Sequence, residues 1–116
     1  MPNSPPRKIK PVPHILSKPT LLAWAEEHKD AEDSLLAWHS TLSKLRFSSV
    51  PELQQSMSGV SYVNGQYLVF PILGTNYRLV TTVFFSSGPP QIYLKHFFTH
   101  KEYDKWSDNT RKSKKK

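Results

Sequence analysis

The 116 residues contain no cysteine, which removes a disulfide framework, a zinc ribbon, a thiolate nucleophile and an iron–sulfur cluster in one step. Glycine is scarce, four in all, so there is little room for a Gly-rich phosphate loop, and no G-x-S-x-G elbow occurs. Nucleotide hydrolysis has no support. No run approaches the roughly 18 apolar residues of a membrane span. Met1 to Pro13 is Pro-rich and polar where a secretory signal would carry an apolar segment. A soluble, cytoplasmic chain without membrane contact is expected. Acidic residues are the minority, 9 Asp and Glu against 16 Lys and Arg, for a net charge of +7. What is present suffices for one small core: 37% of residues are hydrophobic and 12% aromatic, which excludes a wholly disordered chain and points to a single domain.

The charge is not spread evenly. Residues 1–18 carry Arg7, Lys8, Lys10 and Lys18 with no acid, and residues 105–116 carry six cations against Asp108. Between them lies an acidic stretch, Glu26, Glu27, Asp30, Glu32 and Asp33, followed by a mildly basic segment. Basic ends fit either solvated tails or polyanion-binding arms, and charge alone does not choose between them.

Five of the ten prolines fall in the first 13 residues, where each fixes φ and removes a donor, so this is an extension outside the core. His14 to Ser17 reads as a brief strand. Ser17 and Pro19 then open a helix with Leu21, Leu22, Trp24 and Ala25 on its apolar side, and Asp30 is expected to cap a second helix. That helix carries Leu35, Leu36, Trp38, Leu42 and Leu45, with Lys44 and Arg46 in its last turn. Ser49 and Pro51 start a short helical turn that ends by Gly59. From Val60 the period changes to that of strands: Val60–Val63, an Asn64-Gly65 hairpin turn, Gln66–Leu73, a Gly74-Thr75-Asn76 turn, Tyr77–Phe85, Ser86–Pro90, then Gln91–Thr99. His100–Trp106 suits a short closing helix. Helices followed by strands give an α+β fold in which a helical hairpin packs on an antiparallel meander.

Few residues in this frame can do chemistry. Glu102 and Asp104 are the only acids near the sheet and do not form a glycosidase pair. The histidines at 14, 28, 39, 96 and 100 are scattered, so no metal site is expected and no cofactor is implied. Arg78 stands alone within the apolar Tyr77-Arg78-Leu79-Val80. Alternation places it with Val80, Thr82 and Phe84 on the face opposite the helices, within reach of Lys95 or of the polar group His100-Lys101-Glu102-Tyr103-Asp104-Lys105. Arginine, histidine, lysine and tyrosine together are what metal-free phosphodiester cleavage needs: a base, an acid and fixed cations on the phosphate. A surface arginine paired with an acid, beside a solvated helix end, is the commoner arrangement, and from the residues alone both readings stand. His96, alternating with Ile92, Leu94 and Phe98, is expected to be a partly buried, hydrogen-bonded histidine. Trp24, Trp38 and Trp106 are expected to be core anchors.

NYRLVTTVFF, followed by FFTHKEYDKW, resembles the HigB toxins of the RelE/ParE superfamily. Upstream, HILS, the helical pair, VPELQQSM and YVNGQYLVFPI keep the same order, so the resemblance covers residues 14–106. It implies a RelE-like toxin domain at 14–106, a basic extension at 1–13 and a basic flexible tail at 107–116. It further implies a type II toxin that cleaves mRNA on the ribosome without metal and is neutralised by a HigA-type helix-turn-helix antitoxin, operator DNA being met only through that antitoxin. On this resemblance Arg78 holds the scissile phosphate, His100 and Lys101 supply basic or acid/base groups, and Tyr103 orients the nucleotide. Lys95, Asn76 and Lys105 are candidate RNA contacts, and the basic surface and tail are candidate contacts to ribosomal RNA. Two other readings remain: a same-fold toxin that inhibits a protein target, as the ParE branch inhibits gyrase, and a non-catalytic RNA- or partner-binding domain.

Overall fold

The computed structural model describes residues 12–85 and 88–114; the expectations for residues 1–11, Ser86, Ser87, Lys115 and Lys116 lie outside the described residues. The elements are β1 (His14–Leu16), α1 (Lys18–Glu27), a 3-10 turn (Lys29–Ala31), α2 (Glu32–Leu42), α3 (Val50–Ser56), β2 (Ser61–Val63), β3 (Tyr67–Ile72), β4 (Tyr77–Phe84), β5 (Gln91–Thr99) and α4 (His100–Lys114). The five strands make one sheet in the order β1-β5-β4-β3-β2. Strands β2 to β5 form the expected antiparallel meander. The N-terminal strand joins it in parallel, His14 beside Gln91 and Leu16 beside Tyr93.

Turn chemistry sets the register. Asn64 and Gly65 both take left-handed conformations, φ 56° and 62°, and the Gln66 N–H donates to the Val63 carbonyl at 3.1 Å. Two successive left-handed residues match the right-handed twist of the flanking strands. In the helical hairpin, Ser17 precedes α1 and Pro19 lies in its first turn, but the Ser17 hydroxyl bonds that of Thr20 at 3.0 Å and not the backbone. Asp30 caps nothing; it lies in the 3-10 turn and accepts from the Tyr77 hydroxyl at 3.0 and 3.1 Å. Helix α2 stops at Leu42, before the Lys44 and Arg46 expected in its last turn. The helices bury Leu21, Leu35, Trp38, Leu42 and Leu53 against Leu68, Phe70, Leu79 and Ile92 of one sheet face.

The other face is not open, as alternation suggested. Helix α4 covers Val63, Val69 and Val80 there with Tyr103 and Trp106, and Val80, which shares the Arg78 face, is fully buried. This helix runs to Lys114, well past the expected stop at Trp106 and into the segment expected to be a tail. Neither glycine nor proline interrupts residues 100–114, and cations near a helix C-terminus suit its dipole. Lys95 is the extra residue of a β-bulge, since Val80 pairs with His96 while Thr81 pairs with Leu94. The bulge breaks the two-residue period. Leu94 therefore packs with Ile92 on the helical-hairpin side, while His96 stacks on Phe98 at 4.9 Å and leans on Trp106 at 5.7 Å. His96 is held by rings, and among the described residues it makes no side-chain hydrogen bond of the kind expected. Of the tryptophans, Trp38 is buried in the main core, Trp24 stacks on Phe97 and Trp106 anchors α4. Among the described residues no helix is long and apolar enough to cross a membrane.

Candidate active site

Arg78 lies on β4 between Pro71 of β3 and Phe98 of β5. Its guanidinium is turned back onto the preceding turn, where Nη1 donates to the Thr75 carbonyl at 2.9 Å and more weakly to the Tyr77 carbonyl at 3.5 Å. The Tyr103 ring lies beneath it, 5.6 Å from guanidinium carbon to ring centre, a cation–π distance. Among the described residues no acidic side chain pairs with Arg78. Most of its five donors are left for an incoming anion.

The other half of the site comes from the start of α4, whose position follows from local sequence. Thr99 and Glu102 form a reciprocal cap: the Glu102 N–H donates to Thr99 Oγ1 at 3.2 Å, and the Thr99 N–H donates to Glu102 Oε1 at 2.9 Å. This is the S/T-x-x-E capping box, spelled THKE in the sequence. The His100 N–H then donates to the Asn76 carbonyl at 3.0 Å, which ties the first residue of α4 to the turn that holds Arg78. The His100 imidazole is exposed, and its Nδ1 lies 3.3 Å from Asp104 Oδ2. With Nδ1 turned to Asp104, Nε2 is the ring nitrogen left for proton transfer. Tyr103, one helical turn on, points into the small core with Trp106 at 5.9 Å.

Arg78, Tyr103, His100 and Asn76 are thus gathered around one turn and one helix start. Lys101 and Lys105 are not: four residues apart, they line a shallow groove on the outer side of α4 with Glu102, Asp104 and Asp108. Lys95 sits at the bulge, three residues along β5 from Phe98, about 10 Å by strand rise. Burial holds the His96 imidazole below its ordinary pKa, and Lys95 adds to the effect. Burial, followed by the hydrogen bond to Asp30, raises the Tyr77 phenol. Among the described residues no three His, Asp or Glu side chains converge as metal ligands. Two main-chain roles, the Thr75 carbonyl on Arg78 and the Asn76 carbonyl on the His100 N–H, are invisible to side-chain patterns, although Asn76 itself stood among the candidate RNA contacts.

Comparison with known proteins adds two findings. Residues 31–106 match the family described as HigB toxin, the RelE-like toxic component of a toxin–antitoxin system, a span that takes in Asn76, Arg78, Lys95, His100, Lys101, Tyr103 and Lys105. The chain is similar to the mRNA interferase toxin HigB of Escherichia coli (strain K12) and to the mRNA interferase HigB of Escherichia coli O157:H7 and of Shigella flexneri. Each is 31% identical over 94 residues, covering 78% of this chain and 88% of the relative.

Proposed function

The chain belongs to the HigB toxin family, the RelE-like toxic component of toxin–antitoxin systems, and from that premise we propose that it is a metal-independent mRNA interferase acting on translating ribosomes. The observation that carries this reading is the pairing of an arginine that has no acidic partner among the described residues with a helix start that bears His100, Asp104 and Tyr103. Arg78 takes the scissile phosphate in its free N–H groups and stabilises the charge that grows on the non-bridging oxygens. The attacking nucleophile is the neighbouring ribose 2′-hydroxyl, whose oxygen bonds to phosphorus as the bond to the 5′-oxygen breaks, leaving a 2′,3′-cyclic phosphate and a 5′-hydroxyl. Two proton transfers accompany that step. His100, oriented by Asp104, performs one of them, and Tyr103 the other; Lys101, on the outer side of α4, is left as a contact to the RNA backbone.

Asn76, Lys95 and Lys105 contact the RNA backbone, and the basic end of α4 contacts ribosomal RNA by charge. The acidic segment 26–33 repels RNA and faces away from it. A HigA-type antitoxin neutralises the toxin in the cytoplasm, where its substrate is translated, and operator DNA is approached only through that antitoxin.

The test incubates the full-length protein, stripped of bound metal by EDTA and then desalted, with ribosomes translating a defined mRNA in magnesium buffer, and maps new 5′ ends by primer extension. Wild type is expected to give discrete cuts, and Arg78→Ala to lower their rate by roughly 100-fold or more, the order seen for removing one donor to a developing oxyanion. Growth arrest on expression without new RNA ends would replace this reading by a toxin with a protein target. Absence of arrest from a folded, soluble protein would leave a binding domain.

A further inference from the structure

We infer that the turn Leu73–Asn76 is the positioning element of the site, and that Gly74 is its determining residue. One short segment holds both halves of the chemistry. The Thr75 carbonyl takes the Arg78 guanidinium at 2.9 Å, and the next carbonyl, Asn76, takes the His100 N–H at 3.0 Å. Arg78 belongs to β4 and His100 to α4, so within the frame set by the pairing of Tyr77 with Thr99 these two successive carbonyls orient the phosphate-holding cation and the start of the helix that carries the proton-transfer group. Their directions depend on the backbone just before them. Leu73 and Gly74 are both left-handed, φ 55° and 66°, and the Asn76 N–H closes the turn on the Leu73 carbonyl at 3.2 Å.

A leucine in this region is already unfavourable, so the second position falls to glycine, for which left-handed φ carries no Cβ penalty. The far side of the turn is fixed as well. The Tyr77 ring stacks on Phe97 at 4.9 Å, and its hydroxyl donates to Asp30 of the helical hairpin. With β4 braced there, a change at Gly74 swings the Thr75 and Asn76 carbonyls without dragging the sheet along. A Cβ at Gly74 meets nothing within 4 Å. Substitution therefore acts through backbone conformation alone.

The inference rests on the ribonuclease reading, and the test separates the two. Gly74→Asn, Gly74→Ala and Gly74→Val form a series of falling tolerance for left-handed φ. Each full-length variant is compared with wild type and Arg78→Ala in single-turnover cleavage at saturating protein over programmed ribosomes, where an unfolded fraction leaves the rate unchanged so long as the folded protein still saturates. The pH profile of that rate, which reports the proton-transfer group, is recorded beside it. Gly74→Asn is expected to retain the wild-type rate and profile. Gly74→Ala should lose roughly tenfold and Gly74→Val about 100-fold, the scale of ångström-size misplacement of reacting groups. Equal rates and profiles for wild type, Gly74→Asn and Gly74→Ala would overturn the inference while leaving the nuclease intact, and this holds even if Gly74→Val fails to fold. Fast exchange of the His100 amide proton in wild type, as for an unbonded surface amide, would overturn it independently. No cleavage by wild type would defeat the underlying reading.

Discussion

Arg78 is charged, only half exposed, and without a carboxylate among the described residues. It is stabilised instead by two carbonyl dipoles and an aromatic face, which compensate part of its desolvation without neutralising it. That balance suits a group that must receive a phosphate, because a carboxylate partner would compete for the same donors. Arg78→Lys keeps the charge but loses the planar fork and much of the stacking on Tyr103. The expected result is a fall of roughly 10-fold to 100-fold in single-turnover cleavage, with the salt dependence of RNA binding unchanged because the count of phosphate-neutralising charges is unchanged. A lysine variant that cleaves like wild type would reduce Arg78 to a simple counter-charge. The residue was legible because β4 is regular from Tyr77 to Val80, so alternation placed Arg78 with Val80 correctly. The expected neighbourhood of Lys95 failed because the β4–β5 register sets Phe98 beside Arg78 and leaves Lys95 three residues further along β5, at a bulge that also separates the faces of Leu94 and His96; neither register nor bulge leaves a hydrophobic signature in sequence.

At the level of elements, α4 does the most to build the site, and its start is the best-specified point. The Thr99–Glu102 box satisfies two helix-end groups within the segment that also supplies His100 and Tyr103. Part of what makes THKEYD a recognisable hexapeptide is therefore structural: threonine and glutamate hold the helix so that histidine, tyrosine and aspartate fall in place. Thr99→Ala is expected to cost about 1 kcal/mol of stability, read as a lower midpoint in thermal denaturation, and to slow cleavage by fraying the turn that carries His100. A midpoint identical to wild type would mean that the anchor to Asn76 alone fixes the helix start. The meander and the hairpin turns were readable because strand period and Asn-Gly chemistry are local. The parallel pairing of β1 with β5 was not, since His14 and Gln91 are remote in sequence and three residues carry no pairing signal. The length of α4 was missed for a related reason: its distal turns are polar, and only their docking beside the sheet, through Ser107 and the Asn64 side chain that donates to the Thr110 carbonyl, shows them to be helix.

For the whole molecule, each side of the sheet carries a histidine whose titration is coupled to folding. The α4 face packs His96 against Phe98 and Trp106, and burial, helped by Lys95, keeps that imidazole below its ordinary value of 6.5. On the helical-hairpin side, His39 follows Trp38 on α2 and is likewise lowered, first by burial and then by Lys18. In both cases the folded protein binds a proton less readily than the unfolded chain. Between the lowered folded values and the ordinary histidine value, the unfolded state carries more protons, so stability rises with pH there. The contribution is fully present above about pH 6.5 and is lost as pH falls through the folded values. Thermal midpoints measured from about pH 7 down to about pH 5 are therefore expected to fall, and the variant His39→Gln with His96→Phe should show a shallower decline than wild type over the same range. Phenylalanine at 96 keeps the stack on Phe98 and Trp106 while removing the titrating group, so a general loss of packing is separated from a loss of proton linkage. Parallel curves for the two proteins would show that neither histidine is desolvated enough to couple folding to pH, and that the aromatic packing of His96 is indifferent to its charge.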